Sequence, residues 1–196
     1  IRTDQDTSDW GEVDYAVARF ASVRSALEAA GFPNIDIAAD FHARSDKGRA
    51  RILVKELQQF KPMFYEELVD DQDTESLAEL RRHTHVPFAA GERSYNARDL
   101  RWLLNNQVLD IVQPDPAHAY GPGEIYRIGA YASINGARLA PHAPLGPRGY
   151  ETSLHVMLAS PNAFKQECSL GIHYNSQGGA DSVSYTHLTL PTTHCV

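Results

Sequence analysis

The sequence predicts an α/β fold, a partial (β/α) barrel of the TIM type with about six strand-helix units. Three observations lead there. Short apolar runs alternate with segments of helical periodicity, which implies a parallel sheet because each crossover must return the chain to the same end. Six ionisable residues, Asp40, Glu66, Glu92, Asp115, His142 and Glu167, each end or closely follow an apolar run, at intervals of 26, 26, 23, 27 and 25 residues. An open doubly wound sheet would carry a glycine-rich phosphate loop after an early strand, and the sequence has none.

The elements follow in order. Trp10, Val13, Val17, Phe20 and Leu27 recur at helical spacing, with Thr7 or Ser8 as caps and Gly31 and Pro33 as stops. The run Ile35–Ala39 then reads as a strand ending in Asp40 and His42. Residues two apart on an extended segment point the same way, so this acid and imidazole are expected to share a face. Ala50, Leu53, Val54, Leu57 and Phe60 form the next helical face, Pro62 breaks it, and "MFYEE" is a buried strand. "TESLAELRRHT" and "ARDLRWLLNNQ" read as helices, each followed by a strand in "VPFAAGE" and "LDIVQPD". "EIYRIGAYASING" with "RLAPH", then "YETSLHVMLAS" with "AFKQE", complete the alternation.

Composition restricts the function. With 18 basic against 25 acidic residues the net charge is −7, and no Lys/Arg block offers a surface for nucleic acid. No apolar run approaches the ~20 residues that span a bilayer, so no membrane partner is expected. Two cysteines cannot build a disulfide framework, which makes the cytoplasm the expected compartment.

In a (β/α) barrel the carboxyl ends of all strands open on one mouth, where active sites are built. Any one strand-end carboxylate is commonly a cap or turn residue; six in register point to a shared site. Asp40, Glu66 and Glu92 would offer an all-oxygen site suited to Mg²⁺. His142 with Asp115 forms a dyad, the acid orienting the imidazole and raising its basicity. Such a set could abstract the proton α to a carboxylate, after which His42 could protonate a departing β-hydroxyl.

The motifs "DFHAR", "YEE", "AAGER", "DIVQPDPAHA", "LAPHAPLGP" and "QECSLGIHYN", in this order from about Asp9 to Asn175, resemble the acid-sugar dehydratases of the enolase superfamily, mandelate racemase branch, and within these the galactonate dehydratases. The resemblance implies Asp40, Glu66 and Glu92 as Mg²⁺ ligands and His42 as general acid. It further implies His142 as general base, Asp115 as its partner and Glu167 as a stabiliser of the enediolate. Glu67 stands outside this set, since the first glutamate of the pair matches the ligand. The substrate implied is a sugar acid, with a racemase or epimerase, or an inactive metal-binding fragment, as alternatives. Leu68 where the family has proline, "YGPG" where it tends to Gly-Gly, and Arg148 after "PLGP" are departures at the pocket rim.

The resemblance also implies an amino-terminal capping domain and first strands preceding this segment, a homo-oligomeric full-length protein, and an inactive chain in isolation. Residues 1–176 are accordingly expected to form the barrel portion and 177–182 a junction. Residues 183–196 are expected to be a non-native tail, because "VSYTHLTLPT" matches the translation of a transposon-based sequencing adapter. His83 and His85 are expected at a helix end in solvent, His118 on a loop either hydrogen-bonded or touching substrate, and His155 on a helix, packed or partly exposed.

Overall fold

The computed structural model describes residues 9–144 and 146–168. Among them helices and strands alternate: α1 (Asp9–Ala29), β1 (Ala39–Asp40), α2 (Lys47–Gln58), β2 (Tyr65–Glu66), α3 (Thr74–Arg81), β3 (Phe88–Ala90), α4 (Ala97–Asn105), β4 (Ile111–Val112), α5 (Pro122–Ile134), β5 (Arg138–Leu139) and α6 (Gly146–Ala159). The expected caps Thr7 and Ser8, the junction 177–182, the tail 183–196 and the "GIHYN" motif lie outside the described residues.

Helix starts are set by side-chain acceptors that satisfy otherwise orphaned N–H groups. Asp46 accepts from the Arg49 N–H at 3.0 Å and Asp73 from the Ser76 N–H at 3.1 Å. Asn96 and Asp99 form a reciprocal capping box at the head of α4. Each of these helices buries the face its spacing predicts: Ala50, Leu53, Val54 and Leu57 on α2, Leu77 and Leu80 on α3, Leu100, Leu103 and Leu104 on α4. Helix α1 departs from expectation at one end, where Trp10 is 62% exposed while Val13 and Phe20 are buried.

The chain divides into two compact units at Ala89/Ala90. In the first, β1, β2 and the start of β3 pair in parallel, with Ala39 opposite Tyr65, Asp40 opposite Glu66, Tyr65 opposite Phe88 and Glu66 opposite Ala89. Tyr65 is fully buried between helix and sheet and its hydroxyl donates to the Val54 carbonyl at 3.1 Å. That burial pushes its pKa upward, so the donor stays protonated.

In the second unit the Gln113 N–H donates to the Ala90 carbonyl at 2.9 Å, and β4 pairs with β5 in parallel, Ile111 opposite Arg138 and Val112 opposite Leu139. Helix α5 buries Ile125, Ile128, Gly129 and Ala132. The sixth apolar run, "AFKQE", makes one parallel bridge, Ala163 to Leu139, rather than a full strand. Asn162 anchors the start of that approach, its side-chain amide donating to the Gly129 and Ala137 carbonyls. No helix among the described residues is long and apolar enough to cross a membrane.

Candidate active site

In the first unit the candidates sit where strands stop. Asp40 and Glu66 are register partners at the carboxyl ends of β1 and β2, and the Phe41 N–H donates to the Glu66 carbonyl at 2.9 Å. His42 comes beside Asp40 by a different route from the one expected. The strand ends at Asp40, and His42 has φ 53°, so no extended pleat aligns the two. A tight turn does: the His42 N–H donates to Asp40 Oδ1 at 2.7 Å, and its Nδ1 lies 3.5 Å from Oδ2.

Glu67, set aside in favour of Glu66, is 1% exposed and has φ 43°. Its carbonyl accepts from the Ala43 N–H at 2.8 Å. Ligand atoms of Asp40, His42 and Glu67 all lie within 4.8 Å of one another, so these three could hold a cation. Glu66 is not in that group. The sequence signal for Glu67 was the doubled glutamate; the left-handed backbone that redirects it has no signature in a non-glycine residue. His42, Ala43 and Glu67 all adopting positive φ is the kind of local strain that functional sites retain.

The second unit assembles the other candidates into a hydrogen-bonded chain across the ends of β3, β4 and β5. Asp115 is 2% exposed and accepts from His142 Nδ1 at 2.6 Å through Oδ2, while its Oδ1 accepts from the Ala117 N–H at 2.6 Å. His142 Nε2 lies 3.3 Å from Glu92 Oε2, so the expected base lies directly against the third expected ligand. Glu92 is buried, with Arg93 3.6 Å from its other oxygen. Its carbonyl accepts from His118 Nδ1 at 3.0 Å. Glu167 accepts from the Ala143 N–H at 2.8 Å, one residue past His142.

Electrostatics follow from this geometry. Burial alone would disfavour the His142 cation, but the Asp115 hydrogen bond and the charges of Glu92, Glu167 and Asp115 outweigh it and raise the pKa above the ordinary 6.5. For Asp115 burial alone would raise the pKa; the hydrogen bonds from His142 and the Ala117 N–H, with the His142 and His118 charges, prevail and hold it below the ordinary 3.8. His83, His85 and His155 are exposed and take no part.

The donors at these strand ends are carboxylate oxygens with one adjacent imidazole, a set that fits a hard divalent cation and lacks the sulfur or multiple nitrogens expected for zinc.

Known proteins resemble the chain in sequence and in fold. A D-galactonate dehydratase of Ralstonia pickettii (strain 12J) is 44% identical over 174 residues, covering 88% of this chain and 44% of that protein. An enolase-superfamily member from Salmonella Typhimurium superposes with a TM-score of 0.75 at 28% identity, over 80% of this chain and 39% of that one. An enolase from Pantoea ananatis, solved with D-gluconate and Mg bound, does so with a TM-score of 0.72 at 25% identity, over 82% of this chain and 38% of that one. The chain thus spans less than half the length of the curated relative. The enolase C-terminal domain-like family matches residues 4–194, nearly the whole chain. On that match, the parallel strand-helix alternation and the sequence identity to its relatives, the chain belongs to the enolase C-terminal domain-like family.

Proposed function

We propose that the protein containing this chain is a Mg²⁺-dependent hydro-lyase that converts a sugar acid of the D-galactonate type to a 2-keto-3-deoxy acid. The observation that carries the reading is the His142 imidazole held at 2.6 Å by buried Asp115. A ring fixed through Nδ1 presents Nε2 as the atom that takes or gives a proton. The names of the curated relatives support the substrate class.

Asp40, Glu66 and Glu92 would hold the cation. Bound Mg²⁺ supplies positive charge beside the substrate carboxylate, which favours the charge that develops there when the α-proton leaves. His142 Nε2 removes that α-proton, and the electron pair of the broken C–H bond moves into the carboxylate to give an enediolate. Glu167 hydrogen-bonds to the enediolate. The electrons then return to form the Cα–Cβ double bond, the β C–O bond breaks, and His42 gives its proton to the departing hydroxyl, releasing water. The resulting enol tautomerises to the 2-keto-3-deoxy acid.

The test uses D-galactonate with a protein that completes the barrel. Semicarbazide should detect a keto acid; an inverted stereocentre without keto acid would indicate a racemase or epimerase instead. His142→Asn should abolish both α-proton exchange into deuterated solvent and dehydration. His42→Asn should keep measurable exchange while losing elimination, because only the leaving group needs the acid. Normal dehydration by His42→Asn would refute the assignment. Glu92→Gln should weaken Mg²⁺ binding measured calorimetrically and stop turnover, since a neutral amide no longer offsets the cost of dehydrating the cation.

A further inference from the structure

The loop after β4 carries a second imidazole, His118, whose protonation pattern its hydrogen bond defines. Its Nδ1 lies 3.0 Å from the Glu92 carbonyl oxygen. A carbonyl only accepts, so Nδ1 carries the hydrogen, and when the ring is neutral Nε2 is a bare acceptor. The ring is held in place by its own backbone: the His118 and Ala119 N–H groups both donate to the Asp115 carbonyl, at 3.1 and 2.8 Å, and the Ala117 N–H donates to Asp115 Oδ1. Asp115 therefore fixes two imidazoles at once, His142 through its side chain and His118 through the turn it caps. The two rings lie 6.4 Å apart, centroid to centroid, inclined by 31°. His118 is exposed.

We propose that His118 reads the substrate: its Nε2 accepts a hydrogen bond from a hydroxyl of the polyhydroxy acid whose α-carbon faces His142. This rests on the proposed function for the substrate class and on the Glu92, Asp115 and His142 contacts for the placement. A ring a few ångströms from the base is within reach of hydroxyls on carbons beyond the α position. An acceptor-only nitrogen rewards a donor hydroxyl there and is left unpaired by a deoxy analogue, the condition under which a polar site discriminates most strongly.

Two measurements test the assignment independently of each other. Long-range ¹H–¹⁵N spectra of the histidine-labelled protein completed to a whole barrel, assigned by loss of signal in His118→Asn, should show the Nδ1-protonated tautomer, with Nε2 shifting on addition of D-galactonate and Mg²⁺. An Nε2-protonated ring, or an Nε2 resonance that D-galactonate leaves unmoved, overturns the proposal whether or not the protein turns that acid over. In the protein completed to a whole barrel, His118→Asn keeps an N–H able to reach the Glu92 carbonyl but has no atom at Nε2. It should lower kcat/KM for D-galactonate roughly tenfold, through KM, with Mg²⁺ affinity unchanged. Unchanged kcat/KM overturns the proposal, as does a fall that follows lost Mg²⁺ affinity, which would make His118 a support of Glu92 alone. Failure of the unsubstituted protein to dehydrate D-galactonate would refute the proposed function, while the labelled-ring measurement still decides His118.

Discussion

Asp115 shows how much one side chain can organise. One carboxylate oxygen holds the His142 ring and the other caps the turn bearing His118. The two pKa shifts give a pH signature. His142 has a raised pKa, so its contribution to stability is fully present below 6.5 and is lost as pH rises through the raised value. Asp115 has a lowered pKa, so its contribution is fully present above 3.8 and is lost as pH falls through the lowered value. Both act fully between 3.8 and 6.5. Asp115→Asn should therefore destabilise the chain most in that window and less in alkaline solution, read by urea unfolding across pH. It should also lower the His142 pKa in an imidazole proton titration; an unmoved titration would show that the 2.6 Å contact carries no charge coupling. Asp115 and His142 were legible in the sequence because each follows a strand at the strand-helix interval. The Asp40–His42 turn and the approach of Glu67 were not, because both depend on positive φ at residues other than glycine. No spacing rule encodes that conformation.

The connection from β3 to α4 sets Glu92 in place. Gly91 has φ 131°, and a Cβ there would sit 3.1 Å from the Gln113 backbone nitrogen. Glycine is required twice, by the dihedral and by the close approach of β4. Gly91→Ala should cost about 1–3 kcal/mol in urea unfolding, from backbone strain together with overpacking against main chain that cannot rotate away. It should also disturb the Glu92–His142 contact, seen as a change in His142 titration. Asn96→Ala, five residues on, removes a helix cap and should cost ~1 kcal/mol while leaving that titration unchanged. Equal effects of both substitutions on the titration would mean that Gly91 is not what aims Glu92. The helices were the most legible elements, since apolar spacing and capping residues are local signals. The strands proved shorter than their apolar runs. Ile35, read as strand, is 47% exposed, and its carbonyl is taken by the Arg24 guanidinium, which also binds the Pro33 carbonyl. Pairing partners, not β propensity, decide where a strand begins.

For the molecule as a whole, strand number is the governing quantity. Five strands are described, where a closed barrel of this kind needs eight. Among the described residues β1 pairs with β2 alone, which leaves a row of backbone donors and acceptors at an edge able to template association. Large apolar side chains also face solvent: Trp10 at 62%, Phe32 at 56%, Ile134 at 84% and Leu158 at 79% exposure. The Ralstonia pickettii relative is matched over only 44% of its length. The alternation of elements could be read from this sequence because each strand-helix unit is local. Closure could not, because it depends on strands that must meet across the barrel. The 196-residue chain expressed alone is therefore expected to elute from size exclusion as associated species and to show no semicarbazide-reactive product from D-galactonate with Mg²⁺. Joining it to the remaining segments of the Ralstonia pickettii relative should reduce that association, because the added strands would pair the open edge and complete the mouth on which the proposed residues act. A monomeric, active preparation of the chain by itself would show that the strand ends described here form a working site without barrel closure.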